Sequence, residues 1–330
     1  MSATSIRRRD VLAAAGLAWA ARPARAQHAP AKFPSRSVRL VVPYSAGIGP
    51  DVVARSVATQ LARQWQHTVW VDNKPGASGI VAFGDVRRTA PDGHTLFLAD
   101  TATLAVNPLL HASLPYDPQR DLVPLTLLFR ATFLLWTGGN HRWRSLVDMQ
   151  DAARREPGRL SYGTLGNGHA SHVAVESYAR AAGLHFLHVP FKDAGTLFTA
   201  VASGDVDFTT FSMNSLAGLY QAGRLRPLAV AARRRLSSHP DIPTLPEAGG
   251  PPVEMHPWAA LVAVAGTPAL LLEQLHRDLT NAMTQADVLS RSSQAGFEIT
   301  PSSPQGLRER IEADMALVRP LLAEGRIARL

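Results

Sequence analysis

The chain has 330 residues, enough for two domains and a sizeable core. It contains no cysteine, which excludes disulfides, thiolate zinc sites and cysteine nucleophiles together. The formal charge of +8 overstates its basic character: five arginines and one aspartate fall in residues 1–26, leaving +4 for the rest, and no basic run interleaved with aromatics suggests a nucleic-acid partner.

Residues 1–26 read as an export leader. Arg7-Arg8-Arg9-Asp10 precedes an apolar run from Val11 to Ala21, and Ala24-Arg25-Ala26 fits a small-residue cleavage site before Gln27. The run is too short to span a bilayer. The arginine pair followed by Asp10, Val11 and Leu12 resembles a twin-arginine signal with Val11 in place of the usual phenylalanine. A general secretory signal is the alternative. No cysteine follows the run, so no lipid anchor is expected, and the destination is the periplasm.

From Val38 to Trp65 the pattern is a buried strand, a glycine-rich turn and an amphipathic helix. Val38, Leu40, Val41 and Val42 make the strand, and Tyr44 to Gly49 the turn. Pro50 suits a first helical position and Asp51 a first turn, while Val53, Val57, Leu61 and Trp65 form one stripe. Such a junction points free N–H groups at one spot and suits an anion. An ordinary strand-to-helix turn is the simpler reading.

Strands and helices then alternate. Strands are expected at Thr68–Val71, Thr95–Ala99, Leu160–Tyr162, Phe186–Phe191, Val206–Phe211 and Leu228–Ala232, with helices between several of them. Leu122 to Leu135 is apolar and crosses from one domain to the next. Ala259 to Leu272, broken by Gly266 and Pro268, reads as a core strand and turn. Two helical patterns follow, near 268–286 and 304–323. The alternation implies βα units and a parallel sheet covered by helices, with the central block a second α/β unit inserted into the first. Arg233-Arg234-Arg235 reads as a solvated loop face.

Gly163 to His172 joins a strand to a helix and offers backbone donors, hydroxyls and an amide. Its glycines fall as GxxGxG, not the GxGxxG of a dinucleotide fingerprint. The pairs His169/His172 and His185/His188 lack a thiolate or a fixed third ligand, so no metal site is expected. No GxSxG is present. The chain shows binding loops and no catalytic constellation; neither enzyme activity nor a cofactor is expected.

The segments VRLVVPYSAGIGPDVVAR, VDNKPGASG, PDGHTL, LAVNP, SYGTLGNGHASH, HVPFKDA, GDVDF, RPLAVAARRR, PDIPTLPEAG and AGTP resemble, in that order, the Bug-type extracytoplasmic receptors of tripartite tricarboxylate transporters. The resemblance covers nearly the whole mature chain. It implies an α/β fold of two Rossmann-like domains, like the type II periplasmic binding proteins, with the ligand cleft between them. Residues 27–136 with 254–330 would form domain 1 and 137–253 domain 2. The implied ligand is a small carboxylate, held by loop N–H groups, hydroxyls and water. The implied partners are the membrane permease subunits of such a transporter, or a sensor protein if the receptor signals instead; a monomer is expected. An exported α/β enzyme is the alternative from another class. By position, the resemblance points to Tyr44, Ser45 and Gly47 in the first loop. It adds Thr101 and Thr103 after the third strand, and Thr164, Asn167, His169 and Ser171 in the loop opening the second domain. His169 stands where serine is usual. His172 matches a common histidine with a structural role. Asp193 stands where the family usually has glycine. It either caps the following helix or faces the far end of the ligand, where it would repel a second carboxylate.

Overall fold

In the computed structural model, residues 33–330 are described; the expected leader lies outside them. The first lobe begins with β1 (Val38–Val42), whose valines and leucine are buried, followed by α1 (Gly49–Trp65) with Val53, Val57, Leu61 and Trp65 on its inner face. β2 (Val69–Asn73), α2 (Ile80–Val86) and β3 (Thr95–Asp100) continue the alternation. A wide π-type turn through Ala102–Val106 then runs into α3 (Asn107–Leu110), and α4 (Pro118–Asp121) leads to β4 (Leu122–Arg130).

The second lobe holds β5 (Phe133–Gly138), α5 (Leu146–Arg155), β6 (Ser161–Thr164), α6 (Ala170–Ala182) and β7 (Leu187–Pro190). It continues with α7 (Ala194–Ser203), β8 (Phe208–Ser212), α8 (Met213–Gln221) and β9 (Leu225–Val230). The chain then returns to the first lobe through β10 (Trp258–Val264), α9 (Ala269–Met283), α10 (Ala286–Gln294), β11 (Glu298–Ile299) and α11 (Pro304–Ala323).

Each lobe has one sheet, ordered β11-β4-β10-β3-β1-β2 in the first and β7-β6-β8-β5-β9 in the second. The sheets are mixed, which corrects the expectation of an all-parallel sheet. β1 runs parallel to β2 and β3, and β6 to β7 and β8. β10 runs antiparallel to β3 and β4, and β5 to β8 and β9. The reason is topological. β5 and β10 are the strands that arrive from the other lobe. They enter at the edge where the parallel strands end, so they must run away from it.

The first crossover is Ala131–Thr132, because β5 already belongs to the second sheet; the expected division at 136/137 would cut that strand. Both crossovers run side by side. Ala131 donates its N–H to the Pro257 carbonyl at 2.8 Å, and Phe133 to that of Met255 at 3.0 Å. In the first lobe, α2 and α11 cover one sheet face, with Phe83, Leu307 and Ile311 packed on Val41, Phe97 and Ala260. In the second lobe, α5 and α6 cover one face through Met149, Val175 and Tyr178, and α7 and α8 the other through Leu197, Val201 and Leu216. The tail after α11 also joins the lobes: Arg326 pairs with Glu176 of α6 at 3.2 Å, and Leu330 donates to the Leu110 carbonyl at 2.8 Å.

Candidate functional site

A cavity of about 170 Å³ opens where β1 and β3 end and β10 begins. Pro43 and Tyr44 follow β1, Asp100 to Ala102 follow β3, and Pro257 and Trp258 come from the second crossover. The turn Gly76–Gly79 forms another wall, and His169 and Ala170 reach in from the second lobe. An open α/β sheet presents its crevice at these carboxyl ends. Ala170 is the first residue of α6, so the positive end of a 13-residue helix borders the cavity.

The turn wall is held in an unusual conformation. Gly76, Ala77, Ser78 and Gly79 all have positive φ, at 131, 46, 49 and 87°. For alanine and serine the left-handed region costs about 1–2 kcal/mol per residue. Such strain persists where surrounding structure enforces it. Here the buried Asn107 amide donates to the Ser78 carbonyl at 2.9 Å, which gives the Asn-Pro of LAVNP a physical purpose. A Cβ on Gly79 would sit 2.5 Å from the Thr103 hydroxyl, so no larger residue fits without displacement.

Asp100 is the hub of the polar wall. Its Oδ1 accepts from the Thr103 N–H at 2.8 Å and the Thr103 hydroxyl at 2.7 Å, and its Oδ2 accepts from the Tyr44 phenol. Burial, and then the neighbouring Asp100, push the Tyr44 phenol well above its ordinary value, so it stays a donor. His169 caps α6: its Nδ1 accepts from the Ser171 N–H at 3.1 Å. The residue is half-buried by surface but densely surrounded by protein. Burial lowers its pKa to about 4, with Asp100 pulling weakly the other way. The ring is therefore neutral at pH 7, with its proton on Nε2.

The residues singled out from the sequence fall into two groups. Tyr44, Thr101 and His169 line the cavity, and Thr103 supports it from behind. Thr101 bridges two strands, donating to the Trp258 carbonyl at 3.3 Å and accepting from its N–H at 3.2 Å. The others do not line the cavity. Ser45 is exposed, and the Gly47 N–H donates to the buried Asp51 at 2.8 Å. Asp51 thus supplies the anion for the α1 start from within the chain. Thr164 is fully buried, 2.6 Å from His188 Nε2 and bonded to Gly166. Asn167 reaches across to the Ala328 carbonyl at 2.8 Å, and Ser171 is buried under the His169 cap. Asp193 is exposed and caps α7 through Thr196, its N–H and hydroxyl both at 2.8 Å.

His172 and His188 stack at 3.9 Å, and the His172 Nδ1 accepts from the Gly168 N–H, a packing arrangement. Among the described residues no group of three or more potential ligands could hold a metal. Among the wall residues that escaped the sequence reading are Ser78, Asp100 and Trp258. The glycines flanking Ala77-Ser78 signalled a left-handed turn, and Asp100 sits where a crevice is expected, at the end of a predicted strand.

Two α/β lobes joined by paired crossovers, with a small cavity between them that carries polar groups from both, define a solute-binding protein. The chain belongs to the tripartite tricarboxylate transporter family of receptors, whose model matches residues 53–325. It is 31% identical over 324 residues to the UPF0065 protein in the tcbD-tcbE intergenic region of Pseudomonas sp. (strain P51), covering 98% of this chain and 96% of that one. It is 27% identical to protein BugT of Bordetella pertussis (strain Tohama I), covering 84% and 85% of the two chains. Among solved structures, R. palustris Rpa4515 with adipate matches with a TM-score of 0.80 and 29% identity, covering 90% of this chain and all of that one. MatC (Rpa3494) from Rhodopseudomonas palustris with bound malate matches with a TM-score of 0.74 and 27% identity, over 86% and 98%.

Proposed function

We propose that this chain is a periplasmic receptor, and not an enzyme, that captures a small carboxylate in the cavity between its lobes and delivers it to the permease subunits of a tripartite transporter. The observation that carries the proposal is the cavity itself. It lies at the carboxyl ends of β1 and β3, bordered by hydroxyls and by the N-terminus of α6, in a fold shared with relatives solved with adipate and malate. The lobes would close on the ligand by bending at the paired crossovers. The leader expected in residues 1–26 belongs to the same proposal, and no helix among the described residues is long and apolar enough to cross a membrane.

The test is to purify the mature protein, denature it and identify any released small molecule by mass spectrometry, then titrate that compound back. A hundredfold excess over the dissociation constant should raise stability by about 2.7 kcal/mol. Release of a compound without a carboxylate, which rebinds, would overturn the reading.

A further inference from the structure

Asp100 brings a carboxylate into this cavity, and neither lysine nor arginine lines it. All three protein contacts to Asp100 are donors: the Thr103 N–H, the Thr103 hydroxyl and the Tyr44 phenol. A carboxylate offers about four acceptor positions. Three are engaged, and the fourth, on Oδ2, is left for a ligand. On the second lobe, the Ser171 N–H occupies His169 Nδ1, so the neutral ring presents Nε2–H, which has no hydrogen-bond partner among the described residues. The cavity thus offers an anionic acceptor from one lobe and an N–H donor from the other. A volume of about 170 Å³ is close to that of a cavity that holds a benzene-sized molecule, so ligands of roughly six to eight heavy atoms are the ones to test first.

We infer that Asp100 selects the ligand's second functional group: the cavity takes a small amino acid with its charged ends apart, the ammonium on Asp100 and the carboxylate towards His169 Nε2–H and the first turn of α6. This rests on the carboxylate-receptor reading and narrows it. A diacid of the same length would place a second negative charge against Asp100 with no cation to offset it, so the site discriminates by repulsion as well as attraction.

Calorimetry on the mature protein tests this with three matched pairs: β-alanine and malonate, 4-aminobutyrate and succinate, 5-aminovalerate and glutarate. At least one amino acid should bind, tenfold or more tighter than its diacid. Asp100→Asn keeps an acceptor for the Thr103 N–H and should shrink that ratio at least tenfold, with a melting temperature within a few degrees of wild type. If the asparagine variant does not fold, Asp100→Ser, which also keeps an acceptor, serves the same comparison. A diacid that binds as tightly as its amino acid, a ratio unchanged by either variant, or no binding by any of the three amino acids would each overturn the inference. None of these outcomes touches the carboxylate reading, which fails separately if propylamine, butylamine or pentylamine binds as tightly as the matching amino acid.

Discussion

The C-terminal tail is tied to the second lobe by one enclosed ion pair, and cutting it is a sharp test of how the lobes are held. Arg326 and Glu176 are 3.2 Å apart, with side chains only 12% and 7% exposed. The Tyr162 phenol donates to the other Glu176 oxygen at 2.6 Å, and Arg326 also donates to the Leu184 carbonyl. Arg326→Met removes the cation and leaves a buried carboxylate with a single phenol donor. Breaking one side of a buried pair costs about 3–5 kcal/mol, because the remaining charge is uncompensated. At about 2 °C per kcal/mol for a chain of this size, the melting temperature should fall by roughly 6–10 °C. Adding Glu176→Gln removes the stranded charge while keeping an acceptor for Tyr162, so the double variant should recover most of the loss. The neighbouring Arg180–Glu324 pair lies about half exposed, and Glu324→Gln should barely move the transition. Scanning calorimetry of wild type, Arg326→Met, Glu176→Gln and the double variant gives the cycle, with Glu324→Gln as the exposed control. An Arg326→Met loss below about 1 kcal/mol, or a double variant no better than the single, would refute the reasoning.

Three further outcomes follow from the geometry. Gly79→Ala forces a side chain into φ +87° and against the Thr103 hydroxyl, so it should cost about 2–4 kcal/mol in thermal unfolding and weaken ligand binding; a neutral result would mean the turn relaxes freely. Asp193→Asn keeps the α7 cap and should leave both the ligand ranking and the melting temperature unchanged; a changed ranking by calorimetry would place that carboxylate at the ligand. Burial holds His169 near pKa 4, below its ordinary 6.5, so the unfolded chain takes up the proton first as pH falls. Stability should therefore drop between pH 6.5 and 4, by about 3 kcal/mol from this residue, and His169→Asn, which can still cap α6, should flatten that limb of a melting-temperature profile.

The sequence made the β1–turn–α1 unit legible because one short stretch carries every signal: a valine-rich strand, two glycines, a proline and a four-residue stripe. It could not show which way strands pair. Leu122 to Leu135 is one apolar run, yet it holds two strands of different sheets, divided at Ala131–Thr132 by nothing that composition records. α8 went unseen because Phe208 to Leu219 is apolar at both helical and strand spacing, and the helix starts directly after β8. At the site, three of the residues picked by motif position, Tyr44, Thr101 and His169, line one cavity. Motif position could not tell a free hydroxyl from one already engaged. Thr164 looks as available as Thr101 in sequence, but His188 comes from the adjacent strand to occupy it. Ser78, Asp100 and Trp258 meet only because β10 returns beside β3.

That return also governs how the protein is made. The second lobe's sheet draws all its strands from one uninterrupted stretch, Phe133 to Val230, and can close as soon as that stretch is available. The first lobe cannot: β10 must slot between β3 and β4, which emerge long before it during synthesis. Until Trp258–Val264 arrives, two apolar strand edges stand unpaired, the kind of surface that invites wrong partners. A nascent chain of this design depends on holding that gap open. Its vulnerable interval is the time needed to produce the intervening lobe, and a truncation before β10 should yield a folded second lobe attached to an aggregation-prone first one.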